Sequence, residues 1–458
     1  MKHTKKRTYL SIILALIPYT VLPTTYWKWQ DINISTMQFP ASFEWGLTTL
    51  SYEVEGYAKT STWYAWENQV NAQGRPFTAT RSGNGIAHLQ NYKEDVHLMK
   101  KMGIATYCFS LDWSRIEPEQ GHFDEAVIQQ YIDLCDELLK NKISITIILK
   151  DYCDPLWWGY LGGFEHEKNI YLFERYCVKM YEIFGTKVNR WITFWAPENY
   201  AVLGYLLGAI PPGVRTLHHA ATVLKNELEA HVRVYKAIKA SPHGNISRIG
   251  IIKHIHLLEP WHIWDRASCY VANMLTNTSF YNFFTTGTFA VKIPLPGKSG
   301  AWVNHTNAYA AKSLDFIGIN YYSHGYMKNI FNHIGNPSEI PTDVPGMTVY
   351  PEGLYLAIKE VSNTVAKKLN IPIIITQNGI ATRDESIRDL FIKRHIYALH
   401  KAKTEGHNIE GYYYYSFLDG FSWGSYDTRF GLWSVDRVTK ERSQKSGAQY
   451  YCDVMRKR

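Results

Sequence analysis

Short apolar runs recur along the whole chain, and each is followed by a longer segment with apolar residues at helical spacing. Runs of this length, rich in β-branched and aromatic residues, are typical of buried parallel strands. Eight candidate strands cover residues 43–49, 104–110, 143–149, 191–195, 249–254, 314–320, 371–376 and 409–416. The segments between them predict helices that include residues 92–102, 126–140, 170–184, 218–240, 353–369 and 385–405.

This alternation predicts one α/β domain, a single (β/α)8 barrel (TIM barrel), over residues 26–458. Eight strand–helix units with no internal linker are typical of that fold, in which functional residues lie at the carboxyl ends of the strands. Longer segments after the first, sixth and eighth strands predict loops over the same end of the barrel.

The first 25 residues have a different pattern. Four basic residues, Lys2, Lys5, Lys6 and Arg7, precede an apolar run over residues 9–22, which is the layout of a secretory signal. The run is short for a membrane span, but no clean small-residue cleavage site follows it, so an uncleaved anchor through residues 8–23 is an open alternative. A third alternative is a disordered basic tail that contains a chance apolar run. We expect a secreted, lumenal or membrane-anchored protein.

Composition and charge exclude several classes of function. The chain is 46% hydrophobic and 20% charged, as expected for a folded protein. Four of its eight net positive charges lie in the basic head, and the rest are scattered, so we expect no nucleic-acid partner. The six cysteines are widely spaced, without a CxxC pair, which favours core cysteines over disulfides and gives no reason to expect a metal or cofactor.

The run IPIIITQNGIA at residues 371–381 carries the strongest local signal. Its β-branched residues predict a fully buried strand that Asn378-Gly379 ends, which places Gln377 rigidly at the strand's carboxyl end. A glutamine amide donates and accepts hydrogen bonds but does not ionise, so this side chain serves neither as a nucleophile nor as a base.

The motifs at and between the predicted strands resemble glycoside hydrolase family 1, the β-glucosidase-like retaining enzymes. The resemblance covers residues 39–451 and includes the segments FPASFEWG at 39–46, YKEDVHLMKKMG at 92–103, DFIGINYYS at 315–323 and RFGLWSVD at 429–436. It implies a (β/α)8 barrel with a sugar pocket at the carboxyl ends of the strands.

The same resemblance implies that both catalytic carboxylates are missing. Retaining glycosidases use two carboxyl groups about 5 Å apart, one as nucleophile and one as acid/base. The family's TENG segment, which holds the nucleophile, reads TQNG at 376–379, and its TFNEP segment, which holds the acid/base, reads TFWAP at 193–197. Gln377 and Ala196 therefore stand at the two catalytic positions.

The positions that hold the sugar in this family have also changed. By resemblance, Glu53 replaces a glutamine, Trp195 an asparagine and Tyr415 a tryptophan. Asp151 and Tyr152 stand for a histidine and a tryptophan, Ser422 for a glutamate, and Cys108 for an arginine beside the nucleophile. The resemblance thus predicts a rebuilt pocket with eight candidate substrate-binding residues, Glu53, Asp151, Trp195, Glu198, Asn320, Tyr322, Tyr415 and Trp423, in which Trp195 fills part of the space.

Two functional hypotheses follow. The first is an inactive homologue that binds a carbohydrate, a glycoside or a protein partner, for which the klotho proteins, members of this fold that lost catalytic carboxylates, are a precedent. The second is an active β-glycosidase with relocated carboxylates such as Glu198 and Asp151, wide enough apart for inversion through a water. Neutral decay of a pocket with no present role is the alternative to the first hypothesis. His254 and His256 share a face of the fifth strand, but without an evident third ligand they are better read as core or rim residues than as a metal site.

Overall fold

A closed barrel of eight parallel strands forms the centre of the computed structural model, which describes residues 25–33, 37–294, 300–328 and 332–456. Each strand pairs with its neighbours in the chain, and the last pairs with the first through Gly46 and Tyr413. The strands are β1 (Glu44–Thr49), β2 (Thr106–Ser110), β3 (Ser144–Lys150), β4 (Arg190–Phe194), β5 (Arg248–His254), β6 (Phe316–Asn320), β7 (Ile373–Asn378) and β8 (Ile409–Tyr415). The predicted (β/α)8 barrel is confirmed.

Seven long helices pack around the barrel: Tyr92–Met102, Glu125–Lys140, Ile170–Phe184, Leu217–Ala240, Pro351–Val361, Glu385–Thr404 and Ser446–Arg456. Three of these helices start at a capping residue: the side chains of Asp124, Thr216 and Asp384 accept hydrogen bonds from backbone amides in the first turn of the next helix. The helix predicted over 353–369 is interrupted. It runs over Pro351–Val361, continues as a π-helix over Ser362–Ala366, and ends with Lys367–Leu369.

The barrel is closely packed where β1 meets its neighbours. A Cβ atom added at Gly46 would lie 2.4 Å from the ring of Tyr413 on β8 and 2.7 Å from the carbonyl oxygen of Thr106 on β2. Only glycine therefore fits between these two strands. All six cysteines are free and buried, which confirms the prediction that they belong to the core.

The carboxyl ends of the strands carry most of the remaining structure. Short helical segments follow β1 to β4 at Ser51–Val54, Thr62–Glu67, Trp113–Ile116, Leu156–Tyr160 and Pro197–Tyr200, with a π-helix at Ala201–Leu206. The segment after β5 is also long, which the sequence did not indicate. It includes the strand Leu257–Pro260, the helices Arg266–Asn273 and Ser279–Thr286 with the π-helix Met274–Thr278 between them, and the hairpin Thr288–Ile293 with Ala301–Thr306.

A small sheet joins the segments that follow β5 and β6. Strand Leu257–Pro260 pairs in parallel with His324–Lys328, which pairs antiparallel with Asn332–Ile334. A second hairpin, Trp433–Val435 with Arg442–Gln444, follows β8. These additions build walls above the carboxyl end of the barrel.

The predicted signal or anchor lies almost wholly outside the described residues, which begin at Thr25. Immediately after it, the backbone N–H of Trp27 and the indole N–H of Trp29 donate to Glu352 at 2.8 and 3.0 Å. Both indoles also pack against the ring of Tyr397. In the described part of the chain, no helix has the length and apolar character needed to cross a membrane.

Candidate functional site

Ala196 and Gln377 both lie at the carboxyl end of the barrel. Gln377 belongs to β7 and is paired with Asn320 on β6, so both backbone and side chain are fixed. Ala196 follows β4 in a left-handed conformation with φ of 44° and precedes the short helix Pro197–Tyr200. Its methyl group is fully buried. No ionisable group is present at either position.

The side-chain oxygen of Gln377 is the acceptor for a convergent set of donors. Three side chains donate to it, each at 2.8 Å: the indole N–H of Trp195, the amide of Asn320 and the hydroxyl of Tyr322. A carbonyl oxygen has two lone pairs, so three donors saturate it. The arrangement holds Gln377 in place and leaves no acceptor capacity on its oxygen for a ligand.

An aromatic layer of Tyr152, Trp195 and Trp423 stands in front of Gln377. The rings of Tyr152 and Trp423 are stacked with centroids 5.0 Å apart and an interplanar angle of 21°. Trp195 packs against both, at 5.6 and 5.9 Å. Only 4% of Trp195 is exposed. The indole therefore occupies the space directly before Gln377 rather than leaving it open to a ligand.

Glu53 lies in a self-contained polar cluster beside this layer. Its carboxyl oxygens accept hydrogen bonds from Tyr415 at 2.5 Å, Tyr152 at 3.0 Å and Ser422 at 3.3 Å. Burial raises the pKa of Glu53 to about 8, against the opposing effect of the tyrosine hydrogen bonds. The carboxyl group is therefore mainly protonated at neutral pH, and the protein's own hydroxyls satisfy it.

Asp151 is bound in the same internal way. One oxygen accepts from the hydroxyls of Ser110 and Ser51 at 2.7 and 3.1 Å, and the other from the backbone N–H of Cys153 at 2.7 Å. Burial raises its pKa to about 6. These contacts fix the turn after β3, so Asp151 is part of the framework of the site.

Glu198 forms a fully buried ion pair. Its carboxylate lies 3.2 Å from the ammonium group of Lys253 and accepts from the backbone N–H of His254 at 2.6 Å. Neither side chain of the pair is exposed. Burial raises the pKa of Glu198 and lowers that of Lys253. This carboxylate lies behind the wall of the site and holds β4 to β5.

A cavity of about 460 Å³ lies in front of the aromatic layer. Among the described residues, its lining includes no Asp, Glu, Lys or Arg side chain. Four of the predicted binding residues are on its wall: Trp195, Tyr322, Tyr415 and Trp423. The other four are not: Glu53, Asp151, Glu198 and Asn320. The open space at the carboxyl end of the barrel is thus apolar and carries no carboxylate.

Two histidines are among the polar residues of the cavity wall, which also include Asn199 and Ser323. The rings of His254 and His256 lie 4.4 Å apart, and His254 stacks on Tyr322 at 5.7 Å. Burial lowers the pKa of His254 to about 3 and that of His256 well below its usual value, with Lys253 adding to both effects. Both imidazoles are neutral near pH 7. Within the described chain no group of three or more His, Cys, Asp or Glu side chains is placed to hold a metal ion.

The family model of glycosyl hydrolase family 1 matches residues 35–458. The chain belongs to glycosyl hydrolase family 1. The beta-glucosidase A of Thermotoga maritima is 28% identical over 446 residues, which cover 92% of this chain and 99% of that relative. The 6-phospho-beta-galactosidase of Clostridium acetobutylicum is 26% identical over 466 residues, covering 90% of this chain and 96% of that relative.

Solved structures of the family superpose closely on this chain. A beta-glycosidase from Pyrococcus horikoshii has a TM-score of 0.79 at 31% identity and covers 92% of this chain and 95% of its own. A beta-glucosidase from Thermotoga maritima in complex with deoxynojirimycin also has a TM-score of 0.79, at 26% identity, with coverages of 92% and 99%. The resemblance to glycosyl hydrolase family 1 that the motifs indicated is confirmed.

Sequence reasoning missed the apolar side of the site in this family member. Much of the cavity wall comes from aliphatic residues in the segments after β4, β5 and β6: Val202, Leu207, Leu257, Leu258, Leu275 and Met327. A usable signal was present, because leucine pairs occur at 206–207 and 257–258, in the segments that follow β4 and β5. Apolar pairs in loops at a barrel mouth indicate a lined cavity when they are not needed for the core.

Proposed function

We propose that this member of glycosyl hydrolase family 1 does not hydrolyse glycosides and acts as a binding protein. The observation that carries the proposal is the occupation of the catalytic region by the protein itself. Gln377 accepts three internal hydrogen bonds, and Trp195 fills the space before it. Ala196 supplies only a buried methyl group. A double displacement needs an ionised nucleophile and a proton donor, and neither position offers one.

The altered-glycosidase hypothesis is less well supported by the same geometry. A relocated catalytic pair requires two carboxyl groups that converge on one open space. Glu198 is paired with Lys253 and fully buried, and Asp151 is satisfied by two hydroxyls and a backbone amide. Neither residue lines the cavity. A cavity of this size also favours a small ligand over a protein partner.

The test is hydrolysis of a panel of aryl β-glycosides by the purified full chain. We expect no turnover above the uncatalysed rate from the unmodified protein. Turnover that disappears in Glu198→Ala would contradict the proposal and show that the acid/base function has moved to that residue. The double variant Gln377→Glu with Ala196→Glu is the matched comparison. If it alone gains turnover, the loss of activity is assigned to those two positions.

We also propose that residues 1–25 direct the protein into the secretory route or anchor it in a membrane. The support is the basic head followed by the apolar run over residues 9–22. Expression in secreting cells, followed by N-terminal sequencing of the recovered protein, tests this proposal. A mature terminus near residue 26 indicates a cleaved signal, and an intact terminus in the membrane fraction indicates an anchor. Intact protein in the soluble cell fraction would contradict both.

A further inference from the structure

The cavity in front of the aromatic layer has the size and form of a ligand site. Its volume of about 460 Å³ lies within the range of roughly 300–1,000 Å³ found for small-molecule sites. The segments after β1, β4, β5, β6 and β8 all contribute to its wall. Because five separate loops form this space, it is a structural cavity of the barrel mouth and not a packing gap between two side chains.

The wall is mainly apolar and, among the described residues, offers no charged side chain to a ligand. Most lining side chains are aliphatic or aromatic, and no charged side chain faces the space within the described residues. Hydroxyl-rich sugars need many hydrogen-bond partners once water is removed, and burying polar groups without them is costly. Glu53, the residue best suited to bind hydroxyls, is satisfied by Tyr152 and Tyr415 behind the wall. The cavity therefore fits an apolar molecule better than a sugar.

The histidine pair is one of several places on the wall that can bind a polar group. His254 Nδ1 and His256 Nε2 are buried and have no hydrogen-bond partner in the described part of the protein. Both residues line the cavity. Buried polar atoms are usually paired, so two unpaired imidazole nitrogens on one cavity wall point to a group that is supplied from outside. A neutral imidazole accepts from a hydroxyl at one nitrogen and donates from the other.

The opening of the cavity is marked by its exposed lining residues. Phe77, Ala209 and His333 are exposed and line the space. Phe77 stacks on the buried indole of Trp66 with ring centroids 3.9 Å apart. A bulky side chain in place of Ala209 would therefore narrow the route from solvent without disturbing the barrel core.

We infer that this cavity binds a small, uncharged and mainly apolar molecule with a single hydrogen-bonding group, such as a hydroxyl, that reaches His254 and His256. The inference deepens the proposed binding function and rests on it. Shape and apolar contact supply most of the affinity, and the histidine pair orients the ligand. The ligand class is that of a free aromatic or alicyclic alcohol rather than a sugar.

Fluorescence of the neutral probe N-phenyl-1-naphthylamine tests the inference on the purified full chain. We expect saturable enhancement, and displacement of the probe by 2-naphthol. The anion 2-naphthoate should displace the probe at least about tenfold less well, because its charge would be buried in an apolar space. Methyl β-glucopyranoside should not displace it. Equal displacement by 2-naphthoate, or displacement by the glucoside alone, would overturn the inference.

Two sets of variants locate the site. Ala209→Trp should weaken probe binding about tenfold or more by narrowing the opening, whereas Ala240→Trp, at the exposed end of Leu217–Ala240, should leave it unchanged. Replacing His254 and His256 with leucine should weaken 2-naphthol about fivefold but leave naphthalene within about twofold. A general folding defect would weaken both compounds. Unchanged binding in Ala209→Trp, or equal losses for both compounds, would contradict the assignment.

The two proposals fail in different ways. Glycoside hydrolysis by the unmodified protein, with probe binding intact, would overturn the non-hydrolytic function and leave the cavity assignment standing. Absence of both hydrolysis and probe binding would overturn the cavity assignment alone. The hydrolysis panel and the probe titration therefore need to be run on the same protein preparation.

Discussion

Two regions meet at the carboxyl end of this barrel, and they differ in how their side-chain oxygens and their open space are used. Behind the aromatic layer, the side-chain oxygens of Gln377 and Glu53 are fully occupied by donors from the protein, although Gln377 Nε2 has no partner in the described structure. In front of the layer, His254 and His256 line a mainly apolar cavity, and their buried atoms Nδ1 and Nε2 lack a partner in the described structure. The region behind the layer holds many hydrogen-bonding groups but no open space, whereas the cavity in front of it is open but lined mainly by apolar side chains.

Under the proposed non-hydrolytic function, this contrast accounts for a catalytic scaffold that keeps its fold without access to its chemistry. Trp195 links the two regions, because it lines the cavity on one side and donates to Gln377 on the other. Hydrogen-bonding capacity that would otherwise serve a substrate is used internally by Tyr152 and Tyr415. What remains open is shaped by aliphatic and aromatic side chains, and this favours binding over turnover.

Removing Trp195, which separates the two regions, should have the largest effect on stability. Trp195→Ala deletes a buried indole and is expected to lower the free energy of unfolding by about 4 kcal/mol, since the change leaves a large cavity. Denaturant unfolding measures the loss. Trp302→Ala is the control, because Trp302 is 68% exposed, and its effect should stay within about 0.5 kcal/mol. Equal effects would show that Trp195 does not partition the site.

Removing the side-chain acceptor of Gln377, which lies behind Trp195, should have the next largest effect on stability. Gln377→Leu leaves the donors of Trp195, Asn320 and Tyr322 buried without an acceptor, at an expected cost of about 3 kcal/mol. Gln377→Glu keeps an acceptor of similar shape, and three donors favour its ionised form, so about 1 kcal/mol is expected.

Denaturant unfolding of both Gln377 variants at pH 7 separates these expectations. The result that contradicts the description of this region is a leucine variant as stable as the glutamate variant. It would mean that the three donors find other acceptors once the amide is gone.

The smallest expected effect concerns pH. Burial raises the pKa of Glu53 from 4.5 to about 8, so this carboxyl binds a proton in the folded protein that the unfolded chain releases. Its contribution to stability is full below pH 4.5 and is lost as pH rises toward 8. Glu53→Gln has no such dependence. The free energy of unfolding of the variant should rise relative to the unmodified protein by about 2 kcal/mol between roughly pH 5.5 and 7.5.

Denaturant unfolding at three pH values in that range measures the difference. Glu94→Gln is a matched control, because Glu94 is exposed near the start of Tyr92–Met102 and should give a constant difference. A constant difference for Glu53→Gln as well would show that Glu53 is ionised in the folded protein, and that the region behind the aromatic layer is not closed to water.

The fold was predictable from the sequence because its signals are local. Each barrel strand is a short run buried on both faces, and the structure places all eight within two residues of the predicted bounds. The helix predicted over 353–369 is interrupted by the π-helix Ser362–Ala366, which at five residues is too short for its period to be detected in the sequence. The segment after β5 was missed because its strands and helices are short.

The functional site shows the same division between what the local sequence determines and what the folded barrel determines. The residue types alone determine that the Gln377 side chain cannot ionise and that the Ala196 side chain has no ionisable proton to donate, wherever the chain places them. Which side chains satisfy Glu53 was decided by the closed barrel, because Tyr415 lies 362 residues away in the chain. Closure also brings the leucines after β4 and β5 around one space. Local sequence sets chemical identity and secondary structure, whereas hydrogen-bond partners and cavity walls depend on contacts between distant segments that only the folded barrel creates.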